Sequence, residues 1–285
     1  MKSAAVSTKR SKAPNKDRLF QWIAGIILAI GGILFILPFV WMILSSLKTE
    51  QEIILIPPTL FPQEITFDNF KKLFEEMNFA VYLKNTLIVV LFSFFGMFMN
   101  AMAGYGFAKY KFKGSNKLFI MVLATMMIPG QVTMIPVYLI LNKMGLTNTM
   151  IGIVLPGLVT AFGIFLFRQF MTTIPDEILE ATRLDGASEF RTFWQIVVPV
   201  SKPILSVQAI LTFIAGWNSF LWPLIIASDE KYYTLSVGLS LLKGQYGGNN
   251  ALQMAGATFM VLPVIIVFIV FQKNIIENYT TSGLK

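Results

Sequence analysis

The sequence predicts an all-α, polytopic membrane protein with six transmembrane helices, and three observations lead to this prediction. Of the 285 residues, 55% are hydrophobic and only 13% are charged, whereas soluble domains carry about 25% charged residues. The mean hydropathy is +0.67. The charged residues also cluster between long uncharged runs. Uncharged runs of roughly 20 residues are long enough to cross a bilayer as helices, so the chain is predicted to lie in a membrane.

Six charge-free runs have the required length. They are Leu19–Leu47, Asn85–Ala108, Leu118–Asn142, Met144–Phe167, Pro203–Ser228 and Gly244–Gln272. The third and fourth runs are separated only by Lys143, and Pro129 and Gly130 interrupt the third. Residues 1–18 form a basic, polar tail that precedes the transmembrane domain of residues 19–285. The first run is too long to be the apolar core of a signal peptide.

The distribution of lysine and arginine predicts the orientation. If the N-terminus is cytoplasmic, 16 of the 23 lysine and arginine residues fall on the cytoplasmic side and 7 fall outside. Because short cytoplasmic loops are enriched in these residues, both termini are expected in the cytoplasm. The same orientation places the polar connector Pro175–Pro203 inside and the segment Lys48–Lys84 outside. The net charge of +8 therefore reports topology rather than a nucleic-acid partner.

Composition also argues against several kinds of function. The chain has no cysteine and no histidine, so it cannot form a disulfide, use a thiolate or an imidazole in catalysis, or bind a metal through those ligands. No charged residue lies near the centre of a run, as ion-coupled carriers usually require. The GxxxxGK[ST] phosphate loop is absent. We therefore predict no catalytic residue, no metal site and no cofactor bound by this chain, and any transport would draw its energy from a partner.

The connector Pro175–Pro203 is predicted to form two short helices along the membrane surface. Pro175 fits the start of the first helix, and Gly186 fits the left-handed residue that ends it. Ser188 can cap the second helix, and Pro199 marks the entry to the fifth run. An amphipathic helix that merely floats at the interface would show the same pattern. The pattern alone therefore leaves the role of the connector open.

The connector resembles the EAA loop of membrane subunits in binding-protein-dependent ABC importers. That pattern is E-A-A, three residues, G, nine residues, I, any residue, L-P, and this chain keeps its spacing from Glu180 to Pro199. The chain departs from it at Thr182, in place of the second alanine, and at Val198, in place of leucine. The resemblance implies that the connector is a coupling helix between spans four and five that docks in a groove of an ATPase. The residues implied in this contact are Glu180, Ala181, Thr182, Asp185, Gly186, Ala187, Phe193 and Pro199.

Further segments extend the resemblance to sugar importers. PPTLFPQEITFDNF, GWNSFLWPLI and KYYTLSVGL are similar to segments of permeases of the maltose-importer type, and the likeness is to the smaller, six-span permease subunit. The resemblance implies a homologous second permease, two ATPase subunits that bind ATP and Mg, and an extracytoplasmic solute-binding protein. It also implies a multi-pass location in the lipid bilayer of a bacterial or archaeal cytoplasmic membrane, and a carbohydrate cargo, in particular an oligosaccharide.

Polar residues inside the runs are candidates for the substrate route. They are Asn100, Gln131, Trp217 and Asn218. Amides could bond to sugar hydroxyls and the tryptophan could stack on a sugar ring, but the same residue types also join membrane helices to one another. The loop Ser228–Gly248 resembles one that reaches the binding protein in the maltose system, although an ordinary solvated loop would look alike. The candidate contacts in it are Tyr246, Gly247 and Gly248.

Alternatives of two kinds remain open. The same machinery could carry glycerol phosphate or a polyol, because a separate binding protein sets much of the selectivity. A stand-alone secondary carrier or channel would instead take up its cargo without an ATPase. An intramembrane enzyme is disfavoured, because histidine, cysteine and an acid pair within the runs are all lacking.

Overall fold

The computed structural model describes residues 15–75, 78–245 and 248–282, and the regular structure in those ranges is helical. The α-helices are α1 (Asn15–Ser46), α2 (Glu50–Ile53), α3 (Asp68–Glu75), α4 (Phe79–Lys109), α5 (Ser115–Thr125), α6 (Gly130–Lys143), α7 (Met150–Val154), α8 (Ala161–Met171), α9 (Asp176–Leu184), α10 (Glu189–Thr192), α11 (Val198–Val200), α12 (Lys202–Trp217), α13 (Leu221–Ile226), α14 (Leu235–Gln245) and α15 (Asn250–Ser282). A π-helical turn, Phe193–Val197, joins α10 to α11. Most of the predicted basic tail, residues 1–14, lies outside the described ranges.

Within the described ranges, five helical segments are long and apolar enough to cross a membrane. They are Leu19–Ser46, Phe79–Lys109, Met150–Met171, Lys202–Ile226 and Asn250–Gln272. A sixth span exists only if α5 and α6 count as one, and these two helices meet at 100°. The all-α prediction is confirmed, and the predicted interruption of the third run lies between α5 and α6. The reason for the interruption is Pro129, which lacks a backbone N–H and disfavours a helical conformation at Ile128.

Two predicted span boundaries move for physical reasons. The second span begins at Phe79 rather than at Asn85, because the helix continues through Lys84, whose aliphatic stem can carry its charge to the membrane surface. The fourth span begins at Met150, after the Thr149 hydroxyl accepts a hydrogen bond from the Gly152 N–H at 3.0 Å and so caps the helix.

Helix α4 packs most extensively against α8 and α12. Two glycines allow its close approach to the chain around α8. A Cβ atom at Gly96 would overlap the backbone of Leu158, and one at Gly104 would lie 2.6 Å from the Cβ of Phe167. Because these glycines are eight residues apart, they share one face of α4, and small residues on one face are typical of tightly packed membrane helices.

The bundle has two ends that differ in structure. We call the end that holds residues 172–201 the elbow end, and the segment 176–197, from α9 through the π-helical turn, the elbow. The opposite end, with residues 47–75, 78, 227–245 and 248–249, is called the loop end. Helix α1 ends at the loop end, where the Asn69 side chain donates to the Ser46 carbonyl oxygen at 2.9 Å. Helix α15 begins at the same end, where Glu50 accepts the Ala251 N–H at 2.8 Å. The start of α1 and the end of α15 therefore lie at the elbow end.

The loop end is an ordered cap built on two buried charged residues, Lys48 and Glu52, that both bond to Thr59. The Lys48 ammonium group is buried and donates to the Thr59 carbonyl oxygen. The Glu52 carboxylate accepts the Thr59 hydroxyl at 2.6 Å and the Gln63 N–H at 3.0 Å. The hydrogen bond from Thr59 is the largest cause of a lowered Glu52 pKa, so this carboxylate is ionised at neutral pH.

Candidate functional site

The elbow has the geometry that its local sequence predicts. Helix α9 begins directly after Pro175, and Gly186 adopts a φ of +79°, the left-handed conformation that ends a helix. The Ser188 hydroxyl accepts a hydrogen bond from the Arg191 N–H at 3.3 Å and caps α10. The predicted start, end and cap of the two helices are therefore confirmed.

The inner face of the elbow belongs to the core of the bundle. Leu179, Phe193 and Val197 are buried and pack in one cluster with Tyr105 and Met171. Phe193 is only 3% exposed, and its ring centroid lies 5.5 Å from that of Tyr105. These contacts join the elbow to α4 and α8, so the elbow is an integrated part of the bundle.

Polar contacts fix the elbow at its start. The Lys109 ammonium group, whose side chain is 6% exposed, lies 2.7 Å from the Asp176 carboxylate and also donates to the Ile174 carbonyl oxygen. The hydrogen bond from Lys109 is the largest cause of a lowered Asp176 pKa. The last residue of α4 is therefore attached to the first residue of α9, and the carboxylate remains charged at the positive end of the helix dipole.

A second polar group closes the turn between the two helices. The Arg183 guanidinium pairs with the Glu189 carboxylate through bonds of 2.8 and 3.3 Å, and the Tyr110 hydroxyl donates to the same carboxylate. The hydrogen bond from Arg183 is the largest cause of a lowered Glu189 pKa. Burial is the largest cause of a raised Tyr110 pKa, so its phenol keeps the proton that it donates.

The outer face of the elbow exposes large apolar side chains. Leu184 is 89% exposed, Phe190 is 67% exposed, and Ile178 is exposed as well. Large exposed apolar side chains on a short polar connector are typical of a protein contact surface. Of the residues that the sequence implied in docking, Phe193 lies in the core and the others are exposed or half-buried. The exposed residues are Glu180, Ala181, Asp185, Gly186 and Pro199, and the half-buried residues are Thr182 and Ala187.

A cavity of about 550 Å³ lies beside the break between α5 and α6. Its walls come from α4, α6, α12, α13 and the chain from α7 to the start of α8. Gln131, Thr133, Ser93, Ser219 and Trp222 are among its lining residues. The volume falls in the range of small-molecule sites. The wall is largely apolar, and the polar side chains within it can bond to a polar molecule or to water.

The four predicted pathway residues have different positions. Gln131 lines the cavity. Asn100 is buried, and its side-chain oxygen accepts the Thr160 N–H at 3.0 Å, so it joins α4 to α8. Trp217 is 3% exposed, stacks on Phe213, and donates its indole N–H to the Met260 carbonyl oxygen at 2.9 Å. These two residues hold helices together.

Asn218 ends α12 and is exposed, but it is not among the residues that line the cavity. Of the three residues assigned to the binding protein, Tyr246 and Gly247 lie outside the described residues. Gly248 is described and adopts a φ of +83° at the loop end, directly before α15.

The exposed Leu184 and Phe190, and the hydroxyls of Ser93 and Thr133, were not predicted from the sequence. The apolar pair carries a usable signal, because large apolar residues in a polar connector are unusual. The hydroxyls carry none, because single serines and threonines are common in membrane helices and only the fold brings these together.

Comparison with known proteins gives a consistent result. Residues 94–279 match the sequence profile of the binding-protein-dependent transport system inner membrane component family. The chain is 37% identical over 260 residues to the arabinooligosaccharides transport system permease protein AraQ of Bacillus subtilis, covering 89% of this chain and 92% of that protein. It is 29% identical over 266 residues to the sn-glycerol-3-phosphate transport system permease protein UgpE of Yersinia pestis, covering 90% and 95%.

The fold is also similar to that of a solved structure. A chain of a bacterial ABC transporter involved in the import of the acidic polysaccharide alginate superposes with a TM-score of 0.81 at 23% identity, covering 92% of this chain and 98% of that one. At this identity the likeness concerns the fold.

Proposed function

Because the chain belongs to the binding-protein-dependent transport system inner membrane component family, we propose that it is the permease subunit of an ATP-driven importer that moves a carbohydrate into the cytoplasm by alternating access. The exposed apolar face of the elbow carries this proposal. Leu184 and Phe190 leave large apolar surfaces uncovered on a segment that the bundle otherwise holds firmly. A partner that covers them gains burial free energy of about 25 cal/mol per Å².

The partner at the elbow is an ATPase that holds ATP and Mg, since this chain has no phosphate loop of its own. Gly186 and Ala181 allow a partner backbone to approach closely, and Glu180 and Asp185 offer acceptors to basic groups at the rim of its groove. The elbow acts as a lever if it passes the movement of the ATPase to the bundle. This works only if the contacts between the elbow and the ATPase differ between two global states. To move a population from 1:99 to 99:1, that difference must reach about 5.5 kcal/mol.

The orientation and the remaining partners follow from the same proposal. The excess of lysine and arginine places the elbow end in the cytoplasm, together with both termini. The loop end then faces the solute-binding protein. A homologous second permease packs beside this chain in the plasma membrane of a bacterium or archaeon and completes the transport route.

The carbohydrate cargo is supported by relatives such as AraQ, whose name refers to arabinooligosaccharides. UgpE is named for sn-glycerol 3-phosphate, so glycerol phosphate is the alternative cargo that the comparisons favour.

Crosslinking tests the ATPase contact directly. The chain has no cysteine, so Leu184→Cys introduces a single thiol on the elbow. In intact cells, a short bifunctional thiol reagent is expected to link it to a nucleotide-hydrolysing subunit. Ile56→Cys is the matched control, because Ile56 is 96% exposed at the opposite end of the bundle. Elbow crosslinks that never reach such a subunit, or equal products from both variants, would contradict the proposal.

A further inference from the structure

The cavity beside the helix break has an uncharged wall in which several polar side chains lie among apolar ones. Its lining residues include the hydroxyls of Ser93, Thr133, Thr160 and Ser219, the amide of Gln131 and the ring of Trp222, and none of them is Lys, Arg, Asp or Glu. Hydroxyl and amide groups with an aromatic ring are the chemistry that recognises neutral, hydroxyl-rich molecules.

Several of these groups retain hydrogen-bonding capacity. The Ser93 hydroxyl donates to the Val89 carbonyl oxygen at 2.8 Å, and the Thr133 hydroxyl donates to the Gly130 carbonyl oxygen at 2.8 Å. Each hydroxyl therefore keeps its acceptor lone pairs. Among the described residues, no hydrogen bond uses the exposed side-chain amide of Gln131, which offers both donors and an acceptor. A ligand that both donates and accepts, as a sugar hydroxyl does, satisfies these groups together.

The aromatic residue of the wall is held in place. The Trp222 indole N–H donates to the Gly152 carbonyl oxygen at 3.1 Å, and the side chain is half-buried. Its one polar atom is therefore already paired within the protein. What Trp222 contributes to the cavity is apolar ring surface, which suits the C–H faces of a sugar ring.

An anionic cargo finds too little positive charge in this wall. The positive group present is the N-terminus of α6 at Gly130 and Gln131, where a helix carries about half an elementary charge. A phosphate monoester carries a charge of about −1.5 to −2 at neutral pH. Phosphate sites usually supply arginine or lysine for that reason, whereas the backbone N–H groups of α6 also serve as donors to a neutral hydroxyl.

We infer that this cavity is the part of the transport route contributed by this chain, that it takes an uncharged oligosaccharide in preference to a phosphorylated or acidic one, and that Gln131, Thr133 and Ser219 contact the sugar. The inference rests on the proposed function and adds to it the charge class of the cargo and the contacts made by this chain.

A matched pair of threonines tests the contact. Thr133 lines the cavity, whereas Thr125 does not, and each hydroxyl donates to the carbonyl oxygen three residues earlier, at 2.8 and 2.7 Å. Uptake of labelled arabinotriose is measured in the native strain after its copy of the gene has been deleted and replaced by each variant. The sugar is supplied at a saturating concentration, so that the maximal rate reports the membrane step. Thr133→Val is expected to lower the rate about 2- to 10-fold, the loss of one hydrogen bond. Thr125→Val should behave as the wild type.

Two further arms keep the result interpretable. Thr133→Ser restores the hydroxyl and should restore uptake, which separates a sugar contact from a folding defect; the amount of each variant in the membrane is measured in parallel. Uptake of labelled sn-glycerol 3-phosphate should be the same in the deletion strain and in the strain that carries the wild-type chain.

The outcomes separate the two proposals. If the wild-type chain supports no energy-dependent uptake of arabinotriose, or of lactose or diacetylchitobiose, for which other relatives are named, the carbohydrate cargo of the proposed function is contradicted. If the wild type transports the trisaccharide but the valine variants at 133 and 125 are equal, the cavity contact is overturned. Uptake of sn-glycerol 3-phosphate through this chain would overturn the inference that the route is for uncharged cargo.

Discussion

Gly186 offers a perturbation whose folding cost can be separated from its effect on a partner. It adopts a φ of +79°, is exposed, and has no atom within 4 Å of the position that a Cβ would take. Replacement by leucine therefore meets no clash within this chain. The remaining cost is the left-handed backbone, about 1–2 kcal/mol for a residue with a Cβ. A larger effect on transport must come from outside the chain.

Gly114 provides the matched control. It precedes α5 at the same end of the bundle, with a φ of +90° and no atom within 4 Å of its Cβ position. Gly186→Leu and Gly114→Leu thus carry the same backbone penalty, and we expect both proteins to accumulate in the membrane. Only Gly186 lies on the surface proposed to dock with the ATPase.

The assay is ATP-driven uptake by the complete transporter in membrane vesicles, with the amount of assembled complex measured in the same vesicles. Gly186→Leu should abolish uptake while the complex remains assembled, and Gly114→Leu should retain most of its activity. The reasoning would be refuted by normal uptake in the Gly186 variant, or by equal losses in both variants, since equal losses would reduce the effect to backbone strain.

Two other predictions concern buried or paired groups. Trp217→Phe removes the hydrogen bond to the Met260 carbonyl oxygen. It should lower the stability of the purified complex by about 1 kcal/mol in thermal unfolding and leave uptake unchanged. Reduced uptake at unchanged stability would instead show that Trp217 contacts the cargo. Arg183 and Tyr110 lower the Glu189 pKa in the folded state. The Glu189 carboxylate therefore stabilises the elbow fully above about pH 4.5, and this contribution is lost as the pH falls through the lowered pKa. The contribution is less than about 1 kcal/mol, because the pair is half-exposed. The protection of the elbow amides from hydrogen exchange, measured relative to their intrinsic exchange rate at each pH, should therefore fall below that pH. Glu189→Gln should remove this dependence, and an unchanged profile in the variant would exclude the pair as the cause.

Features that depend on local sequence were predictable. The end of α9 at Gly186 and the cap at Ser188 follow from the conformations that these residues favour, and the interruption near Pro129 follows from its missing N–H. The angle of 100° at that interruption was not predictable. It depends on how α6 packs against distant segments, which a single proline does not determine.

Features that depend on packing partners were not predictable. Trp217 and Gln131 are both polar-capable residues within apolar runs, yet one bonds to a neighbouring helix and the other lines a cavity. Nothing in their local sequence distinguishes the two outcomes. Likewise, Ser93, Thr133 and Ser219 are far apart in the chain and meet only because α4, α6 and the link between α12 and α13 adjoin one cavity.

The position of Phe193 bears on how the elbow can work. A lever must remain attached to what it moves, and Leu179, Phe193 and Val197 attach the elbow to the bundle through buried apolar surface. At about 1.5–3 kcal/mol for each buried side chain, the three together contribute about 5–9 kcal/mol, an upper value because the unfolded chain already buries part of this surface. This is comparable to the roughly 5.5 kcal/mol that drives a two-state switch. Under the proposed function, a force applied at Leu184 or Gly186 would therefore be transmitted to α4 and α8 rather than detach the elbow, and the helices that line the cavity would move with it.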